Sequence, residues 1–187
     1  MITQIFDLNS IKILTMFSIS PGSKFNRNEI KEKTALNNVP LDVTLNRLLS
    51  TKIIKREKNY YMFNFENDLT LNVLETIQKE FKRLKNLPLN IYFIILDLID
   101  FFSTKKEIEL FLFGSYSKLI YSEKSDIDIA LIYQKELDIN EINKIIGKIE
   151  QLYKKKVEIH TFEKNSFYKN KNDILIKSIL KDGIKLI

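Results

Sequence analysis

The chain has 187 residues, 44% of them hydrophobic, with a formal charge of +6 and no cysteine. That length holds one domain or two small ones, and the apolar fraction excludes a disordered chain. Without thiols there are no disulfides, thiolate metal ligands or cysteine nucleophiles. At the N-terminus no charged run precedes an apolar core, so no signal peptide is expected. Leu8, Ile11, Leu14 and the apolar run 16–19 predict a first amphipathic helix, which stops at Pro21-Gly22. Asn28 caps a short second helix over 28–34. After a turn at Asn37-Asn38, Asn38 caps a third helix with Pro40 in its first turn and Leu41, Leu45, Leu48 and Leu49 as its apolar stripe. Ile53-Ile54 and 60–65 read as the strands of a hairpin turning at Lys58-Asn59.

Residues 1–66 hold ten Lys/Arg against six Asp/Glu, so the basic excess sits mainly in this third of the chain. Such an excess invites nucleic acid. The Lys-, Asn- and Ile-rich composition of the whole chain is a second, bland source of it. Residues 67–105 read as helical, with helices over 69–84 and 90–102 separated at Pro88. Leu71, Leu74, Ile77, Phe81 and Leu84 form a helical apolar repeat that suits a linker helix, a homodimer seam, or both. The apolar stretch 89–102 is interrupted by Asp97 and Asp100 and is too short to span a bilayer, so it reads as a buried helix. These features suit a cytoplasmic chain without a membrane partner. Strands are then expected at 110–113, 126–133 and 157–160, and helices at 141–154 and 173–181. Their alternation predicts an α/β (α+β) domain with a mixed sheet. The expected segments are 1–66, a helical linker 67–105, and 106–187.

Chemistry concentrates in the last segment. A hydrophobic strand runs directly into Gly114-Ser115. The glycine permits a tight turn and close approach, and the serine and the turn's N–H groups suit phosphate oxygens. Ten residues later come Asp126 and Asp128, at i and i+2 on a strand and therefore on one side of it. Adjacent carboxylates repel unless a cation or proton lies between them. Glu158 sits in a third strand, with Val157 and Ile159 facing the other way. Three converging carboxylates can hold two divalent ions, one orienting a triphosphate and the other activating an attacking hydroxyl. Metal plus phosphate is the chemistry of nucleotidyl transfer. His160, the sole histidine, is read as structural or exposed. The tyrosines are read as packing or rim residues. Tyr116 and Tyr121 lie near enough in sequence to the site to serve alternatively in base stacking or self-modification.

Gly114, Ser115, Asp126 and Asp128 at this spacing resemble the signature of the polymerase beta-like nucleotidyltransferase superfamily, and most closely its minimal nucleotidyltransferase (MNT) group. S-D-I-D-I-A at 125–130, V-E-I-H at 157–160 and the closing I-L-K-D-G-I-K-L-I at 179–187 extend the resemblance. It implies Mg²⁺ and ATP, with Gly114, Ser115, Lys118 and Ser125 at the nucleotide and Asp126, Asp128 and Glu158 as catalytic metal ligands. Members of this group often act as antitoxins, transferring AMP to a tyrosine of a HEPN-family toxin. Two departures stand out. Lys118 and Leu119 replace an arginine and a glycine in the phosphate loop, and Glu158 replaces the commoner aspartate.

The N-terminal pattern, and 45–61 in particular, resembles a winged helix-turn-helix domain. That resemblance implies Thr44, Asn46, Arg47 and Lys52 as exposed candidates for a DNA groove, with Lys55, Arg56 and Lys58 reaching phosphates from the wing. Such domains also serve in protein docking. Three functions compete: AMP transfer to a toxin; a non-catalytic DNA-binding regulator or antitoxin acting by contact; and nucleotide transfer to a small molecule or RNA. The short chain leaves little room for the acceptor domain that the third requires.

Overall fold

The computed structural model describes residues 7–82, 84–135 and 137–187, the Glu80 side chain excepted. The extreme N-terminus, where no signal peptide is expected, therefore lies in part outside the described residues. The chain divides into two compact units, one extending to Phe93 and the other beginning at Ile94.

In the first unit, helices α1 (Leu8–Ile19), α2 (Arg27–Thr34) and α3 (Asn38–Ser50) accompany strands β1 (Phe25–Asn26), β2 (Ile54–Glu57) and β3 (Tyr60–Phe63), followed by α4 (Asp68–Phe81). The strands form an antiparallel sheet in the order β1-β3-β2. Helix α1 is not amphipathic as expected. Residues 10 to 18 are all buried, polar Ser10, Thr15 and Ser18 included. The reason is its central place, with α2, α3 and α4 packed around it. A helix enclosed on all sides shows no polar stripe, and Ser18 satisfies its hydroxyl by donating to the Thr15 carbonyl. Phe17 joins the sheet through ring contacts of 5.5 Å with both Phe25 and Phe63.

Helix α2 starts one residue before its expected cap. Asn26, not Asn28, accepts the N–H groups of Asn28 and Glu29, and Glu29 returns a bond to the Asn26 N–H. Strand β1 was not foreseen, being only two residues long. The Lys58-Asn59 hairpin turn is observed, with Lys58 at φ 55°.

Helix α5 (Leu89–Ser103) begins just after Pro88 and runs into the second unit. There follow β4 (Ile108–Phe113), α6 (Gly114–Ser117), β5 (Ile127–Tyr133), α7 (Ile139–Tyr153), β6 (Val157–Glu163), α8 (Lys164–Lys169), α9 (Ile174–Asp182) and β7 (Ile184–Lys185). The mixed sheet has the order β6-β5-β4-β7, with β5 and β6 parallel and the other pairs antiparallel.

The strand period of two separates this sheet's faces. Leu110, Leu112, Ile127, Ile129 and Leu131 are buried on one. Phe111, Phe113, Ala130 and Ile132 lie on the other, in a core with Phe167 of α8 and with Ile176 and Ile179 of α9. That second face carries the site. Its apolar cover ends near Phe113, and there the acidic residues begin. No helix among the described residues is long and apolar enough to cross a membrane.

Candidate active site

The site grows out of strand register. Phe113, the last residue of β4, lies opposite Asp128 of β5, and Asp128 lies beside Glu158 of β6. Immediately after Phe113 the chain turns at Gly114, whose φ of +71° suits glycine. A Cβ at this position would stand 2.0 Å from Asp128 Oδ2. The glycine is therefore required twice, by its backbone angle and by the carboxylate lying against its Cα.

Asp128 is half-buried and its carboxyl is pushed above the ordinary aspartate value. Burial is the largest cause, and the charges of Glu158 and Asp126 add to it against the opposing pull of His160 and Lys156. Asp128, Glu158 and His160 offer ligand atoms that all lie within 4.8 Å of one another. His160 Nε2 is 3.4 Å from Glu158 Oε1, and its ring packs edge-on against Phe113 with centroids 5.3 Å apart. Asp126 is answered differently. Lys156 Nζ donates to Asp126 Oδ2 at 3.0 Å and stands 3.9 Å from Glu158 Oε2. The hydrogen bond to Asp126 is the main cause raising the Lys156 ammonium's pKa.

The three expected acids thus converge at one end of the sheet, joined by Lys156 and His160. Lys156 was passed over in the sequence and His160 was read as structural or exposed, although i±2 alternation around Glu158 puts all three in one row. Carboxylate and imidazole donors of this kind suit a divalent cation, and the half-buried, like-charged Asp128 is a carboxylate that a bound cation would stabilise. The Asp128, Glu158 and His160 group therefore fits a divalent ion, with Asp126 beside it on Lys156.

Around the phosphate turn, Ser115 is half-buried and its carbonyl accepts the Ile120 N–H at 3.0 Å. Lys118 points elsewhere in the free protein: its ammonium lies 3.3 Å from both Ser178 Oγ and Asp182 Oδ2, on α9. Ser125 accepts the Ser122 N–H at 2.8 Å and so closes the loop before Asp126. Leu119, standing where a glycine is expected, has φ 58°. The left-handed conformation that suits glycine is present, carried by a leucine. Tyr116 is not available for stacking on a base. It is 2% exposed, and its ring stacks on Tyr121 at 4.6 Å.

The residues expected to meet DNA differ in their surroundings. Thr44 must be removed from the exposed set, because it is buried and its hydroxyl donates to the Pro40 carbonyl at 2.7 Å. Its position on the inner face of α3 explains this. Asn46 is exposed, Arg47 pairs with Asp7, and Lys55 donates to Glu66 at 2.9 Å. Arg56 donates to the Lys58 carbonyl and lies 5.5 Å over the Tyr61 ring. Among the described residues, Lys52 and Lys58 have no acidic partner. Arg56, Asn46, Asn59, Asn26 and Asn28 line a polar groove of about 620 Å³ in this unit.

Residues 97–187 match the family described as Polymerase beta, Nucleotidyltransferase. Among solved structures, one described as "Crystal structure of the toxin-antitoxin with AMP-PNP" is similar, at 21% identity and a TM-score of 0.39, over 50% of this chain and 72% of that chain. No curated protein matches. The family match and the mixed sheet together fit a polymerase beta-like nucleotidyltransferase domain in the C-terminal half of the chain.

Proposed function

We propose that the C-terminal unit transfers AMP from ATP to a tyrosine of a partner HEPN-type toxin, and that this modification is how the protein neutralises that partner. The observation that carries the reading is the Asp128 carboxylate, lying against Gly114 at the end of β4 and beside Glu158. That arrangement sets two acids next to a turn whose backbone N–H groups would suit a triphosphate. The family match over 97–187 supports the reaction class.

In the proposed step, the acceptor's phenolic oxygen forms a bond to the α-phosphorus of ATP. The bond from that phosphorus to the bridging oxygen breaks, and pyrophosphate leaves. Glu158, exposed at the edge of the cluster, would take the phenolic proton. Asp126, Asp128 and Glu158 would hold the divalent ion, Mg²⁺ being the family default. When bound, that ion offsets charge at the α-phosphoryl group and lowers the pKa of the attacking hydroxyl. Gly114 and Ser115 bring backbone N–H groups to the phosphates. Lys118 adds its charge by leaving Ser178 and Asp182 when the triphosphate arrives.

Within the first unit, helices α1 to α3 and a hairpin-containing sheet support a winged helix-turn-helix reading. The unit's ion-paired surface favours docking of a partner, and the asparagine-lined groove is where operator contact would occur. A second function, neutralisation by contact with DNA-linked regulation, rests on that groove.

The test combines the full chain, Mg²⁺, ATP labelled at the α-phosphate and a co-encoded helical ribonuclease. Label is expected on a tyrosine of the ribonuclease, lost with Asp128→Asn. An Asp126→Asn/Asp128→Asn variant that neutralises the ribonuclease as well as the natural protein would instead select the contact mechanism.

A further inference from the structure

We propose that His160 is a metal ligand, and that Asp128, Glu158 and His160 together take a first-row transition cation, Mn²⁺ included, in preference to Mg²⁺. The inference rests on reading the acid cluster as the metal site of a nucleotidyltransferase, and refines which ion that site holds.

Register creates the donor set. Asp128 pairs with Glu158, and Ala130 pairs with His160, so the imidazole follows Glu158 along the same face with only a small alanine beside it. The ligand atoms of Asp128, Glu158 and His160 come within 4.8 Å of one another. Asp126 lies outside that group in the free protein, where Lys156 holds it at 3.0 Å, and would join an ion there only by leaving Lys156. One cationic partner of the acid cluster is thus supplied by the chain itself.

The spacing suits coordination. Two donors about 2.1 Å from one ion and at right angles stand roughly 3 Å apart, and His160 Nε2 lies 3.4 Å from Glu158 Oε1. The nitrogen therefore already faces the position that an ion shared with Glu158 would take. Its direction is fixed by packing, since the ring meets Phe113 edge-on at an interplanar angle of 71°. A ring held this way loses little freedom on binding a metal. Donor chemistry then selects the ion. Mg²⁺ demands near-ideal octahedral oxygen coordination and keeps its waters, whereas imidazole with carboxylate favours first-row transition ions.

The test is Mn²⁺ titration of the full chain, followed by pulsed EPR. Bound Mn²⁺ should show coupling to an imidazole ¹⁴N in the natural protein. His160→Gln and His160→Ala should lose that coupling and weaken Mn²⁺ binding at least ~10-fold, and Mg²⁺ should displace Mn²⁺ only in at least ~10-fold excess. Absence of Mn²⁺ binding, Mn²⁺ bound without nitrogen coupling, or displacement by equimolar Mg²⁺ would each overturn the proposal. The measurement on the natural protein needs no variant, so a misfolded substitution does not decide it. Nitrogen-coupled Mn²⁺ in a protein that transfers no nucleotide supports this site and rejects the transferase reading. Transfer sustained by Mn²⁺ without nitrogen coupling rejects this site and keeps that reading.

Discussion

Two carboxylates on one sheet face, Glu109 near the start of β4 and Asp128 opposite its end, have opposite surroundings. Glu109 accepts hydrogen bonds from Lys185 at 2.6 Å and Tyr168 at 2.9 Å, and pairs with Lys164 at 3.1 Å. Burial opposes its ionisation, yet the bonds from Lys185, Lys164 and Tyr168 prevail and hold the carboxyl at about 2. Asp128 is burdened by burial and by two like charges, and its carboxyl is raised. Glu109 thus clasps α8 and the closing strand β7 to the sheet, while among the described residues Asp128 has no such donors. A structural acid has its donors built in; an acid left short of them is what the proposed metal site requires.

The largest effect expected is on transfer. Asp128→Asn removes a carboxylate that the reaction needs, and should lower nucleotide transfer more than ~100-fold, since loss of a metal's outer partners alone costs 10–100-fold. The same change should raise the Tm of the metal-free protein, because it removes a half-buried charge with like-charged neighbours. The sign follows from a folded pKa above the unfolded one: Asp128's contribution is full below the unfolded pKa and is lost as pH rises through the folded value. A thermal scan of the variant beside a transfer assay checks both arms, and a lowered Tm would break the contrast with Glu109.

Gly114→Ala comes next. Its Cβ would stand 2.0 Å from Asp128 Oδ2 at a φ of +71°. The expected cost is about 2 kcal/mol of stability, with transfer lost through displacement of Asp128. Denaturant titration of the variant reads the first effect. Glu109→Gln should show the converse pattern, a loss of about 1–2 kcal/mol with transfer per folded molecule unchanged. Because the folded pKa lies below the unfolded one, Glu109's stabilisation is present above pH 4.5 and is lost as pH falls towards about 2. Acid denaturation of the natural protein and the variant should converge across that window. The smallest effect belongs to Leu119→Gly, which relieves a φ of 58° at an exposed side chain and should stabilise by up to about 1 kcal/mol.

The aspartate side of this contrast was legible in the sequence, whereas the Glu109 side was not, its partners lying 55 or more residues further on. Alternation in Asp126-Ile127-Asp128 has the period of a strand, so the shared side of the two aspartates could be read directly. The pairing of Asp128 with Glu158 depends on parallel register across helix α7, which no local pattern encodes. Lys156 and His160 are two residues either side of Glu158; the same alternation could have found Lys156, and it put His160 on that side without showing a role for it. Their partners, Asp126 and the metal group, needed the assembled sheet. Lys118 is bound by residues sixty or more positions later, a contact beyond any motif. In the first unit, α1 was misread because its serines and threonine resemble a polar face until three other helices enclose it. Thr44 failed for a related reason: a hydroxyl that bonds its own helix's carbonyl can be buried without penalty.

The central claim is nucleotidyl transfer at the Asp126, Asp128 and Glu158 cluster. Parallel reactions with ATP labelled at the α- or the γ-phosphate, in the presence of the co-encoded partner and a divalent ion, test it most directly. The account predicts that α-label becomes covalently attached to the partner, that γ-label leaves as pyrophosphate, and that Asp128→Asn abolishes attachment. Attachment of γ-label, or α-label transfer that survives Asp128→Asn, would contradict it.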